Sequence, residues 1–144
     1  MERVKLDFPE AAIVYRHPMT VRITDMNYGA HLGHDMVISL MHEARVAALA
    51  HCGLDERDLG GYPCVAADLA VQYQAEAHWP DALTVDIAIP EPGRKALAVF
   101  HRIRRDSDER VVATARVNLV LVEAEARRAV AVPDAVREAL ARAR

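Results

Sequence analysis

Between Asp25 and Arg45 the chain reads Asp-Met-Asn-Tyr-Gly-Ala-His-Leu-Gly-His-Asp-Met-Val-Ile-Ser-Leu-Met-His-Glu-Ala-Arg, and its first ten residues carry a carboxylate, an amide, two histidines and two glycines. An apolar periodicity then begins near His34. Met36, Val37, Leu40, Met41, Ala44, Ala47 and Ala48 fall at three- and four-residue steps, which predicts a helix from His34 to about His51, stopped by Gly53. The polar groups therefore sit where a helix starts, and the unpaired amides of its first turn point at whatever binds there. Such a site polarises a carbonyl. Asn27 and His31 are placed to orient that carbonyl or an attacking water, and Asp25 is placed to react as an acid or base. Amides around Leu32, Gly33 and His34 form an oxyanion hole, while Gly29 and Gly33 let backbone approach substrate closely. Each residue also has a quieter reading: a turn for Asn27, a loop-bracing acceptor for Asp25, a cap on backbone carbonyls for His31, a solvated first turn for His34.

Glu43 is the candidate reacting carboxylate. It follows His34 by nine positions and lies at the margin of the apolar stripe, beside Met36 and Leu40. A half-buried glutamate has its charged form disfavoured and so works better as a base or nucleophile near neutrality. The alternative is an ion pair with Arg22, Arg45 or another cation that holds the helix in place. His31, His34, Asp35 and His42 complete no metal-ligand set of known spacing, so no metal is expected. A Gly-x-Ser-x-Gly elbow and a phosphate-binding glycine loop are both missing, and no cofactor is implied.

The elements that must position these residues follow from hydrophobic period. A strand is expected at about Thr20–Thr24, preceded by an extended piece that Pro18 interrupts. After the helix, Val65–Gln74, Leu83–Ile89, Leu97–Ile103 and Val111–Val122 alternate as strands, separated by Trp79-Pro80-Asp81, Pro90-Glu91-Pro92-Gly93 and Arg105–Glu109. Short loops predict an antiparallel meander. A C-terminal helix, Pro133–Arg142, opens on a proline whose missing N–H costs nothing there. The helix His34–His51 is apolar most of the way round. One face takes the sheet, and the other, with Ile38, Val46, Leu49 and Ala50, needs a further cover such as a second subunit.

The 144 residues fit one domain, 1–144, of class α+β. A formal net charge of −3 argues against nucleic-acid binding, and no run of apolar residues is long enough for a membrane span. The acidic first ten residues lack the apolar stretch of a secretion signal, and Cys52 and Cys64 read as free thiols of a reducing cytoplasm.

Asp25-Met26-Asn27, Ala30-His31-Leu32-Gly33-His34 and Glu43-Ala44-Arg45, with Ala67–Tyr73 and Asp81–Val85 downstream, resemble the hotdog-fold acyl-CoA thioesterases of the 4-hydroxybenzoyl-CoA thioesterase-like branch. The resemblance covers roughly residues 18–125. It implies a sheet of about five strands wrapped around the long helix, a homodimer or dimer of dimers, and an acyl-CoA substrate. It also implies that cations near the third hairpin, Arg94 and Lys95 with Arg102, Arg104 and Arg105, hold the phosphates of coenzyme A. Many relatives read Asp-x-Asp where this chain has Asp25-Met26-Asn27, and Asn27 cannot take a proton at neutral pH. The reacting acid must then be another residue, and a mid-helix carboxylate acting across the subunit interface, as in some relatives, is Glu43. A hotdog hydratase or dehydratase and a non-catalytic acyl-CoA-binding module are the alternatives.

Overall fold

A computed structural model describes residues 1–144. The long helix, α1, spans His34–His51, as its periodicity predicts. Val37, Leu40, Met41, Ala44, Ala48 and Leu49 are its buried apolar residues, Leu49 fully so although it was expected on the outer face, and the two inner alanines let the helix sit close. It ends on Gly53, at φ +77°, with Leu54 N–H donating to Leu49 O at 2.8 Å and Gly53 N–H to Ala50 O at 2.9 Å, a left-handed glycine stop.

Around it run β1 (Ile13–Thr20), β2 (Cys64–Tyr73), β3 (Ala82–Ala88), β4 (Ala96–Arg105) and β5 (Val111–Glu123). A two-residue β6 (Arg128–Ala129) and the terminal helix α2 (Asp134–Ala143) follow. The sheet is antiparallel in the order β1-β3-β4-β5-β2, with β6 on β5, and curls around α1 as a hotdog fold.

Three expectations are corrected. The first strand is Ile13–Thr20, not Thr20–Thr24. Pro18 is tolerated because β1 is an edge strand, and Ile23–Asp25 is instead a single 3-10 turn. Only β3, β4 and β5 form a meander. The connection after Tyr73 crosses the sheet end, Gln74 and Ala75 donating to Val112 O, so β2 pairs with β5 at the far edge rather than with β3. The third concerns β2, whose alternation is broken. A register shift between Ala66 and Asp68 leaves Ala67 unopposed, so Cys64 and Ala66 face the helix side before it and Leu69, Val71 and Tyr73 after it.

Odd-numbered residues of β3, β4 and β5 face α1 and form the core. One of them is His101, fully buried, whose Nε2 lies 3.4 Å from Arg45 Nη1 and whose Nδ1 has no partner. Burial, then the Arg45 charge, push its pKa from 6.5 down to about 3. His101 is therefore neutral in the folded chain, whereas the unfolded chain takes up a proton below 6.5. Stability conferred by a depressed histidine falls as pH drops across that window, by about 1.4 kcal/mol per pH unit. Denaturant titrations from pH 6.5 to pH 4.5 are expected to show that His101→Leu loses this component of the acid slope; an unchanged slope refutes the assignment.

Candidate active site

The loop before α1 is braced by its own side chains. Asn27 Oδ1 accepts from Gly29 N–H at 2.9 Å and His31 N–H at 3.4 Å, and Asn27 N–H donates to His31 O at 2.9 Å. Ala30 takes the left-handed φ of 63° that closes this turn. Gly29 lies where an added Cβ would stand 3.2 Å from Asn27 Oδ1 and 3.4 Å from His31 Nε2, so the backbone there follows the two side chains closely. Asp25 is fully buried and accepts from the Arg22 backbone N–H at 2.8 Å and from its guanidinium at 2.9 Å. Those hydrogen bonds outweigh burial and hold its carboxyl below the usual range. Both carboxylate oxygens of Asp25 are thus committed to Arg22.

His31 Nδ1 lies 3.1 Å from Leu32 O, which can only accept, so Nδ1 carries the proton and Nε2 keeps its lone pair in the neutral ring. Leu32 N–H donates to Ala77 O at 2.7 Å and Gly33 N–H to Asp25 O at 3.1 Å. Neither is available to an oxyanion, which corrects the expected donor set. Gly33 is the helix N-cap without a side-chain bond, and the first helical bond is Val37 N–H to Gly33 O at 3.0 Å. The free donors are the amides of His34, which was expected, and of Asp35 and Met36, the next two residues of the helix.

At His34 lies a cavity of about 330 Å³ lined by His31, Leu32, His34, Val37, Tyr73 and Glu76 among others. Tyr73 donates its hydroxyl to His34 O at 2.8 Å, and its ring meets the exposed His34 ring edge-on at 6.5 Å. Burial and the nearby Asp35 charge raise the phenol pKa. Tyr73 and Glu76 were not legible as site residues. Tyr73 reads as one more apolar position of a strand, and only the pairing of β2 with β5 brings that strand's end to the helix start.

Glu43 is exposed, not half-buried, because it projects from α1 at the sheet's edge, beside Met19 and Thr20 at the end of β1. It has no ion-pair partner: Arg45 binds Glu56 at 2.6 Å, and Arg22 binds Asp25 while feeling the Glu43 charge from further off. Glu43 lines a depression of about 240 Å³ with Met19, Thr20, Arg22, Ser39 and Leu40, and another of about 590 Å³ with His17, His42 and Val46. Neither is the cavity at His31, so one copy of the chain does not bring Glu43 and His31 together.

The cations are not brought there either. Arg94 and Lys95 precede Ala96, which pairs with Val120, while Tyr73 pairs with Ala113. The seven-residue step between those β5 positions puts the two ends about 23 Å apart. Arg102 and Arg104 bind Asp86 and Arg105 binds Asp108, so these guanidiniums are occupied.

The sequence pattern of the Thioesterase-like superfamily matches residues 21–140. A curated relative, an L-carnitine dehydrogenase/betainyl-CoA thioesterase from Agrobacterium fabrum, is 27% identical over 96% of this chain, which spans 28% of that protein's length. Among solved structures, a 1,4-dihydroxy-2-naphthoyl-CoA thioesterase from Synechocystis superposes with a TM-score of 0.81 at 17% identity, covering 88% of this chain and 95% of that one. A Staphylococcus aureus protein solved in complex with CoA gives 0.79 at 19% identity, covering 91% of this chain and 83% of its own. Identities this low establish the shared fold.

Proposed function

The chain belongs to the Thioesterase-like superfamily, and from that premise we propose that it hydrolyses an acyl-CoA to the free acid and coenzyme A. The observation that carries the reading is the start of α1. Unpartnered amides of His34, Asp35 and Met36 stand beside a cavity that His31 also lines. The thioester oxygen accepts from those amides and is stabilised as charge develops on it. His31 Nε2 and the Asn27 amide N–H₂ orient water and carbonyl. Glu43 of a second copy takes a proton from the water, whose oxygen bonds to the carbonyl carbon. The C–S bond then breaks, and coenzyme A leaves as a thiolate that takes up the proton.

A second copy is part of this reading. Edge strand β2 leaves Leu69 43% and Tyr73 50% exposed on the helix side, and Val46 of α1 is exposed near Cys64 and Ala66 at the other end of that strand. Pairing of two β2 edges in a homodimer, alone or as half of a dimer of dimers, covers that edge, and the reading requires in addition that Glu43 of one copy reach the cavity of the other. No helix is long and apolar enough to cross a membrane. Both cysteines are free, and burial pushes the Cys64 thiol up to about 11, so they stay protonated; a cytoplasmic setting fits them.

Acyl groups named for the relatives range from naphthoyl to betainyl. Purified protein incubated with a panel of acyl-CoAs is expected to release free thiol and to sediment as a dimer or tetramer. Tight acyl-CoA binding without thiol release would make the protein a binding module instead.

A further inference from the structure

We propose that residues 1–5 form an arm that crosses the β2 edge and docks on the sheet of a second copy, Val4 resting on Val65 and Val120 of that copy. The proposal rests on the pairing of two β2 edges and adds a second contact between the copies, on the sheet face away from α1.

Strand register sets Asp86, Arg102, Thr114 and Gln72 in one row across β3, β4, β5 and β2, on that outer face. The segment before β1 lies along this row. Glu10 pairs with Arg102, the Phe8 ring lies 4.2 Å from the Arg102 guanidinium carbon, and Leu6 N–H donates to Gln72 Oε1 at 3.3 Å. From Phe8 to Leu6 the chain therefore passes from β4 over β5 to β2, about 10 Å at right angles to the strands. Strand β2 is the last on this side, so the heading of the segment takes Met1–Lys5 past the edge of the sheet. Five extended residues reach about 17 Å, or about three strand spacings.

Alternation shows which side of the arm seeks cover. Val4, Leu6 and Phe8 stand at every second position, with Lys5 and Asp7 between them. Leu6 and Phe8 are half-buried against the row, whereas Val4, the next residue on that face, is 45% exposed. A matching strip is bare on the same outer face: Val65, Val120 and Ala96 form an apolar row at the other end of β2, and Val65 is 51% exposed. Two copies of one edge related by a twofold pair antiparallel. With the twofold at the middle of Cys64–Tyr73, Gln72 of one copy stands opposite Val65 of the other. The row that ends at Gln72 then runs on into Val65, Val120 and Ala96 of the second copy, and Val4 lands on it. Within one chain Val65 is about 23 Å from Gln72, beyond the reach of an arm fixed at Leu6.

The test traps the contact in the full chain carrying Cys52→Ser and Cys64→Ser. Val4→Cys protein is mixed with Val65→Cys protein, left to exchange subunits and mildly oxidised. The mixture is expected to form a disulfide-linked pair at least about tenfold faster than either protein alone. In sedimentation, Val4→Asp is expected to raise the dimer dissociation constant about tenfold, because it sets a charge on an apolar row, and Val4→Leu to leave it unchanged. A dimer that forms no mixed disulfide, or that Val4→Asp does not weaken, overturns the arm and leaves the pairing of β2 edges standing. A chain that stays monomeric removes that pairing and this inference with it.

Discussion

Replacing Glu43 by Ala is expected to lower kcat by about a hundredfold or more while leaving KM within a few-fold, as measured by thiol release. Asp25 is buried with both oxygens bound, and Asn27 cannot accept a proton and spends its oxygen on its own loop. Glu43, like Asp35 in the first turn, is a carboxylate of α1 that stands exposed with no ion-pair partner, and of the two it is Glu43 that has cations on either side of it in sequence and in space. A structural glutamate in that setting would have taken one of them. A carboxylate left without a partner in one copy is available to a substrate held by a second copy. Mixing Glu43→Ala protomers with His31→Ala protomers should restore part of the lost activity, since one mixed site is then intact. Unchanged turnover in Glu43→Ala removes this residue from the mechanism.

The second large effect concerns stability. Asp86 on β3 is fully buried on the sheet face away from α1, and it accepts from Arg102 at 2.8 Å, from Arg104 at 2.7 Å and from Arg16 at 3.3 Å. Glu10 pairs with Arg102 in turn, and the Phe8 ring lies 4.2 Å from its guanidinium carbon. Burial pushes the Asp86 pKa up, but the hydrogen bonds of Arg104 and Arg102 prevail and hold it below its ordinary 3.8. Asp86→Ala leaves desolvated guanidiniums facing one another, and the expected cost is about 3 kcal/mol, which lowers the melting temperature by about 10 °C. A carboxylate with a depressed pKa stabilises above its unfolded value and loses that contribution as pH falls through the folded one. The gap between wild type and Asp86→Ala should therefore be full at pH 6 and shrink below 3.8. A gap that does not change with pH would mean the loss is one of packing alone.

The same cluster shows why the cations read poorly from sequence. Arg102 and Arg104 look like a free basic patch because their partner, Asp86, lies on a different strand, and only the β3–β4 register places them together. Local patterns read better. The helix His34–His51, its glycine stop and the strands β3 to β5 follow from period and punctuation alone. The bracing of the Asn27 loop was among the readings open to an asparagine so placed. What escaped were properties that depend on where strands go: the swap of β2 to the far edge, the capture of the Leu32 and Gly33 amides by Ala77 and Asp25, and the arrival of Tyr73 and Glu76 at the site.

Ala67, the unopposed residue in β2, determines more than a kink. Counted without it, every side chain beyond that point would change sides. Tyr73 would then look out from the back of the sheet, and its hydroxyl would have no helix to reach. The chemistry available in the pocket is thus written partly as arithmetic: a relative one residue shorter here, with the same letters after it, would own a different binding site.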